Sequence, residues 1–370
     1  MGKSKILMQI RDELTQKNSD ANVIYIDKEK YEFDHIADYN DLMKFVSQNR
    51  SDGLNCLFID EVQEIAQFEK ALRSLLSEGN FDIYCTGSNA QIFSSNISTY
   101  LSGRHIETKV HALSYPEFLN FHGLAKNMES LSRFLQFGGL PYLIHLPQDV
   151  HTINEYLTNL NSTILYRDVI GRHNIRDVVF LNNLLKYAAD NTGSLLSVNN
   201  IHKYLKSQKS TKSVSVIVNY LNHLVEANLI NRTCRMEVQG LKIFEAGEKF
   251  YFEDIGIRNS IIGYKAQDIN KIIENAVYNH LNLNGYEVFI GKMGNKEIDF
   301  IAQKDNERVY FQVAYKLSDE KVIKREFGNL DEIKDHYPKF VISMDDFPIE
   351  TSYKGIKHKK LIDFLYETKN

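Results

Sequence analysis

Cysteine is scarce in this chain, with three among 370 residues, and Cys56, Cys85 and Cys234 show no Cys-x-x-Cys spacing. An odd, scattered set of this kind excludes a disulfide framework and a zinc knuckle, and it places the chain in a reducing cytoplasm. Long apolar runs are missing too. None approaches the roughly 18 to 20 residues of a membrane-spanning helix, and the first residues contain no signal-peptide core. Ile6 stands where an N-myristoylation signal needs Ser or Thr, so the opening Met-Gly is no lipid anchor. Charge of one sign is lacking as well. A net charge of −4 argues against a chain coated with cations for nucleic acid, although a local basic face remains open. With 43% hydrophobic and 25% charged residues, what is present is ordinary globular usage over a length of two or three domains.

Three short apolar runs recur in the first ninety residues: "NVIYID" (22 to 27), "NCLFIDE" (55 to 61) and "FDIYCTGS" (81 to 88). Each is nearly continuous in hydrophobicity, as strands covered on both faces are, and amphipathic stretches "SKILMQIRDEL" and "FEKALRSLLSEG" lie between them. The pattern predicts a parallel α/β sheet. Asp60 and Glu61 end the second run, at the sheet edge where ligands of open α/β folds bind. Asp60 can hold Mg²⁺, directly or through water, and Glu61 can polarise the water that attacks a γ-phosphate; the alternative is a strand that ends in a charged turn. Thr86, Ser88 and Asn89 occupy the equivalent edge of the third strand, where a hydroxyl or amide can sense phosphate. Gly2-Lys3-Ser4 matches the last three positions of the phosphate-loop signature G-x-x-x-x-G-K-[ST].

Taken in order, "LFIDEVQEI", "IYCTGSNAQIF", "LSGRHIETKVHALSYPEFL", "FGGLPYL", "TILYRDVIGRHNI", "KFYFEDIGIRNSI" and "EIDFIA" resemble the bacterial and archaeal AAA+-like ATPases that carry a C-terminal domain of unknown function. The resemblance covers essentially the whole chain. It implies ATP and Mg²⁺ as cofactors, with Gly2, Lys3 and Ser4 in the phosphate loop, Ser4 and Asp60 toward the metal, and Glu61 as the catalytic carboxylate. Thr86 and Ser88 are implied as the first sensor, and Arg104 of "SGRH" as a γ-phosphate arginine or, equally, a surface arginine in a turn. Members of the family begin with a strand and a full glycine-rich loop, whereas one residue precedes Gly2 here. That strand lies inside the family's sheet, so its loss is expected to leave two unpaired edges facing each other and to weaken nucleotide binding. A start set too late or a clipped chain is favoured over a degenerate homologue, because Asp60, Glu61, Thr86 and Arg104 all remain.

The expected fold class is α/β: a P-loop NTPase-like core lacking its first strand (1–114), a helical lid (115–190), a winged helix (191–262) and a restriction-endonuclease-like α/β domain (263–370). In the lid, Arg167, Asp168 and Arg172 of "YRDVIGRHNI" read either as a contact to nucleotide or a neighbouring subunit, or as a solvated helix end with surface pairs. The winged-helix reading rests on two helices around the "SQKST" turn. Six basic residues face one acid over 196 to 235, and Lys206, Lys209 and Lys212 are candidate DNA contacts; a protein-docking or purely structural role is the alternative. In the last third, Glu274 on a helix, Asp299 on a strand and Gln312 on the next follow the layout of PD-(D/E)xK nucleases. Gln312-Val313-Ala314 replaces the third motif's carboxylate and lysine, and Lys316 substitutes only partly, so weak or absent cleavage is expected.

Three functions remain open: an ATPase whose turnover moves the C-terminal modules on DNA or a partner protein, a DNA-binding or scaffolding protein with vestigial nucleotide and nuclease sites, and an ATP-regulated metal-dependent nuclease. A ring oligomer and a monomer are both compatible with the sequence, and no membrane partner is expected.

Overall fold

In the computed structural model, which describes residues 2–18, 20–88, 104–147, 149–207, 212–240, 242–317, 320–345 and 353–367, helix α1 (Lys3–Lys17) starts at Gly2. Gly2 has a left-handed φ of 75°, which would cost a residue bearing a Cβ about 1–2 kcal/mol. Strand β1 (Asn22–Asp27), α2 (Tyr39–Asn49), β2 (Asn55–Asp60), α3 (Phe68–Glu78) and β3 (Phe81–Cys85) follow in α/β alternation. The strands are parallel in the order β1-β2-β3, and β2 is buried along its whole length. Successive side chains point to opposite faces. Ile24, Ile26, Leu57 and Ile59 meet the helices α2 and α3, while Val23, Cys56, Phe58 and Tyr84 meet Leu7, Ile10 and Leu14 of α1. Both faces are covered, which is why "NCLFID" shows no polar alternation.

Among the described residues, no second strand edge faces β3 across the expected gap. β1, β2 and β3 are contiguous, and residues 104–110 form no strand. Among the described residues β3 is the edge, and after Phe81 its residues are exposed or half-buried because no further strand covers that side.

These elements form one unit, residues 1–110 with 226–228; residues 111–225 and 229–370 form a second. The second unit begins with α4 (Tyr115–His122), α5 (Met128–Phe137), α6 (Val150–Ile164), a π-helical segment (Leu165–Gly171), α7 (Val178–Asp190), α8 (Val198–Ser207) and α9 (Val214–Glu226). Side-chain caps set several starts: Ser114 with Glu117, Asn127, Asp149 and Asp177 each satisfy amides that the helix leaves unbonded. Then come β4 (Ile230–Glu237), β5 (Ile243–Phe252), α10 (Ile255–Ile262), α11 (Ile269–Leu283), β6 (Glu287–Met293), β7 (Lys296–Lys304), β8 (Glu307–Ala314), α12 (Glu320–Asp331), β9 (Lys339–Ser343), β10 (Lys357–Lys360) and α13 (Leu361–Tyr366).

One seven-stranded sheet, in the order β10-β9-β8-β7-β6-β4-β5, carries all of these strands. β4 pairs with β6 in parallel, Arg235 opposite Ile290, so the sheet runs across residue 262, where the sequence reading places a boundary. Ile272, Ile273, Ala276 and Val277 of α11 pack on Phe300, Ala302, Phe311 and Ile342. Phe327 and Leu330 of α12 pack with Ile298, Ile301, Tyr310 and Val341, in a separate core cluster.

Candidate functional site

In the first unit, the carboxyl ends of the three strands bring Asp27, Asp60, Glu61 and Thr86 together. Asp27 and Asp60 are register partners, and both are buried. The Thr86 hydroxyl donates to Asp60 Oδ1 and accepts from the Glu61 backbone N–H at 3.1 Å, while the Val62 N–H donates to the Thr86 carbonyl at 3.0 Å. Thr86 thus ties β3 to the end of β2, holding the Asp60 carboxylate and the Glu61 backbone. Glu61 has a φ of 54°, a left-handed backbone rare for a side-chain-bearing residue and enriched at functional turns. Gln63, which the sequence reading passed over, donates through Nε2 to Glu61 Oε2 and lies 3.4 Å from Ser88 Oγ. No local pattern marks a turn glutamine as the partner of an acid two residues earlier.

The Lys3 ammonium donates to the Gly87 carbonyl, so the start of α1 and the end of β3 meet at this edge. Ser4 is half-buried in the first turn of α1. The donor set fits a magnesium nucleotide: Asp60, Thr86 and Ser4 offer hard oxygens, and Lys3 with the first-turn amides of α1 offers positive charge to phosphate. Arg104 is exposed, and among the described residues no hydrogen bond or ion pair joins it to Asp60, Glu61 or Thr86. Asn89 lies outside the described residues. The nearby Cys85 thiol is pushed up to about 12 by burial, so it is neither a nucleophile nor a thiolate ligand.

Of the basic residues in the second unit, Lys203 and Lys206 are exposed on α8, and Lys209 lies outside the described residues. Lys212 forms an ion pair with Asp177 at 2.9 Å, which also raises the lysine's pKa. Asp168 is not a solvated surface acid. It is buried within the π-helical segment, with Arg167 at 3.3 Å and Arg172 at 3.2 Å.

Asp299 of β7 and Gln312 of β8 line one cleft, and Glu274 of α11 lies close enough to Asp299 to influence its charge. The structure adds a residue that spacing could not show: Lys249 of β5, only 2% exposed, lies 2.9 Å from Glu274 Oε1 and 2.8 Å from Glu297 Oε1. The Tyr251 hydroxyl donates to the same Glu274 oxygen at 2.8 Å, and the Val313 N–H donates to Asp299 Oδ2 at 2.7 Å. Burial pushes Asp299 well above the usual carboxylate range, with Glu274 adding to it and Lys249 opposing it. Burial by itself would lower Lys249; Glu274, Asp299 and Glu297 outweigh it and raise the ammonium above its ordinary value. Lys316 is not on the strand, because β8 ends at Ala314; it is exposed, with its ammonium 5.3 Å from the Tyr315 ring centre.

A family model described as an AAA domain matches residues 1–119, and one described as a domain of unknown function matches residues 128–268. The parallel strands and edge acid pair of the first unit lie within the stretch that matches the AAA domain model. The chain belongs to the family of an uncharacterized protein of Haemophilus influenzae, to which it is 31% identical over 377 residues, covering 99% of this chain and 92% of that relative. The uncharacterized protein MJ1544 of Methanocaldococcus jannaschii is 29% identical over 335 residues, covering 86% of this chain and 73% of the relative. The solved Aeropyrum pernix ORC1 protein in complex with DNA aligns over 69% of this chain and 81% of its own at 10% identity, with a TM-score of 0.27, too low for a shared overall shape. No helix among the described residues is long and apolar enough to cross a membrane.

Proposed function

We propose that this chain binds ATP with Mg²⁺ at the carboxyl edge of β1 to β3, hydrolyses it, and couples nucleotide state to its C-terminal modules. The observation that carries the reading is the Thr86 hydroxyl, bonded to the Asp60 carboxylate and to the backbone N–H of Glu61, since a residue at the phosphate-sensing position then contacts both residues of the Asp-Glu pair. Bound Mg²⁺ supplies charge neutralisation at the phosphates. Lys3 exchanges its Gly87 carbonyl for phosphate oxygen, and Ser4 and Asp60 hold the ion or its waters. Glu61, positioned by Gln63, takes the proton of the attacking water. Thr86 and Ser88 report the γ-phosphate, and Arg104 is the candidate arginine for it.

The proposed layout is a core over 1–114, a lid over 115–190, a winged helix over 191–262 and a nuclease-like module over 263–370. The test is ATP binding and phosphate release by the full chain with Mg²⁺. Glu61→Gln should keep ATP bound while turnover falls about 10² to 10⁴-fold, the usual contribution of a general base. A wild type that binds no ATP overturns the reading.

A second reading, DNA binding through α8 and α9, is favoured by the exposed Lys203 and Lys206. It requires affinity that falls steeply with salt and is lost on charge reversal of both lysines. Affinity independent of salt would rule it out.

A further inference from the structure

The carboxylates around Lys249 already hold proton donors of the protein. Glu274 Oε1 carries both the Lys249 ammonium at 2.9 Å and the Tyr251 hydroxyl at 2.8 Å. Glu297 Oε1 shares the same ammonium at 2.8 Å, and Asp299 Oδ2 takes the Val313 N–H at 2.7 Å. Glu326, the other buried acid lining this cleft, is bonded by Arg325 at 2.8 Å. We propose that Lys249 is the resident cation of this centre: its ammonium, bonded to Glu274 and Glu297, takes the position near Asp299 that a divalent metal would otherwise fill. The inference concerns the second unit and stands apart from the ATPase reading.

Three features support it. A divalent ion would sit about 2.0 to 2.6 Å from each carboxylate oxygen it bound, and it would meet there a buried ammonium of like charge. Lys249 cannot swing away at little cost, because its side chain is only 3% exposed and its charge has no solvent to return to. The donor set is also weaker than a nuclease centre needs. Gln312 brings a neutral amide to the cleft where the nuclease layout has an acid, which removes one of the negative charges that would draw a divalent ion. The Gln312 Oε1 atom, buried and without a hydrogen-bond partner, lies in the same cleft and completes the hard-oxygen set available once the lysine is removed.

The test titrates Mn²⁺ into the nucleotide-free full chain by calorimetry. Wild type and Asp299→Asn should bind Mn²⁺ identically, because the centre holds none. Lys249→Met, close in volume and uncharged, should gain a site at least tenfold tighter than any in the wild type, and Lys249→Met with Asp299→Asn should lose it. Lys249→Arg should behave as wild type. Mn²⁺ binding in the wild type that Asp299→Asn abolishes overturns the proposal, as does a folded Lys249→Met with no new site. If Lys249→Met fails to fold, the comparison of wild type with Asp299→Asn decides. Mn²⁺-dependent DNA cutting by the wild type that Asp299→Asn removes would also overturn it.

Discussion

The backbone N–H of Gly139 donates to Asp254 Oδ2 at 2.8 Å, and a Cβ on neighbouring Gly138 would lie 2.3 Å from the other oxygen of that carboxylate. Two motifs far apart in the chain, "FGGLP" and "FEDIGIRN", thus close on one buried acid that also caps α10 through the Ile257 N–H at 3.0 Å. Gly256 completes the fit, since a Cβ there would stand 1.9 Å from the Phe137 carbonyl oxygen. Gly138→Ala and Gly256→Ala should each destabilise the second unit by about 2–4 kcal/mol, measured as a lowered urea midpoint. Gly79→Ala, with nothing within 4 Å of its Cβ, should cost only about 1 kcal/mol for the left-handed backbone.

Asp254 and His280 make opposite contributions to the pH dependence of stability. Burial raises Asp254 from 3.8 to about 6, against the amides that bond it, so between those values the folded state holds a proton that the unfolded state has released. That contribution fades as pH rises through about 6. Burial lowers His280 from 6.5 to about 4, so the unfolded state takes up a proton that the folded state refuses, and stability falls as pH drops through this window. Asp254→Asn should therefore leave a stability that rises with pH from about 4 to 6.5, and His280→Asn one that falls from about 4 to 6. Urea midpoints across that range check both signs.

Two ion pairs of nearly equal length should differ sharply in worth. Arg258 and Asp268, at 3.0 Å, are both buried, and Arg258 also bonds the Ala189 carbonyl at 3.0 Å. Arg258→Ala leaves the buried Asp268 carboxylate with only Lys271, at 4.0 Å, and should cost about 3 kcal/mol. Lys212 and Asp177, at 2.9 Å, are about a third exposed and screened by solvent, so Lys212→Ala should leave stability nearly unchanged. Chemical denaturation of the two variants separates the cases.

Gln63 supports the acid pair without being one of its acids. Gln63→Ala frees the Glu61 carboxylate from its amide partner, and ATP turnover should fall roughly tenfold with ATP affinity unchanged, by analogy with the loss of an outer partner at a metal site. Equal losses in binding and turnover would instead give Gln63 a structural role. Thr86→Val removes the hydroxyl shared by Asp60 and Glu61 and should weaken binding and turnover together.

Much of the first unit could be read from the residues in order. The apolar runs at 22–27, 55–60 and 81–85 are β1, β2 and β3, and Gly79 ends α3 with a φ of 80°. The two helices around the "SQKST" turn, and the helix and two strands that carry Glu274, Asp299 and Gln312, were equally visible, because each rests on local period and turn residues. The burial of Asp168 was not visible. Its neighbours Arg167 and Arg172 look the same on a solvated helix end and in a packed π-helical segment, and only the packing distinguishes them.

By itself the sequence determined the periodicities, and with them which strands form and which acids they deliver to an edge, since backbone geometry repeats every two or 3.6 residues whatever surrounds it. Tertiary structure decided the charge partners. Glu274 meets Lys249 across 25 residues and two elements, in a sheet where β4 and β5 join strands from beyond residue 262. No local period encodes that meeting. A buried charge takes whichever counter-charge the packing brings within reach, because leaving it alone in a dry interior costs more than any local preference can offset.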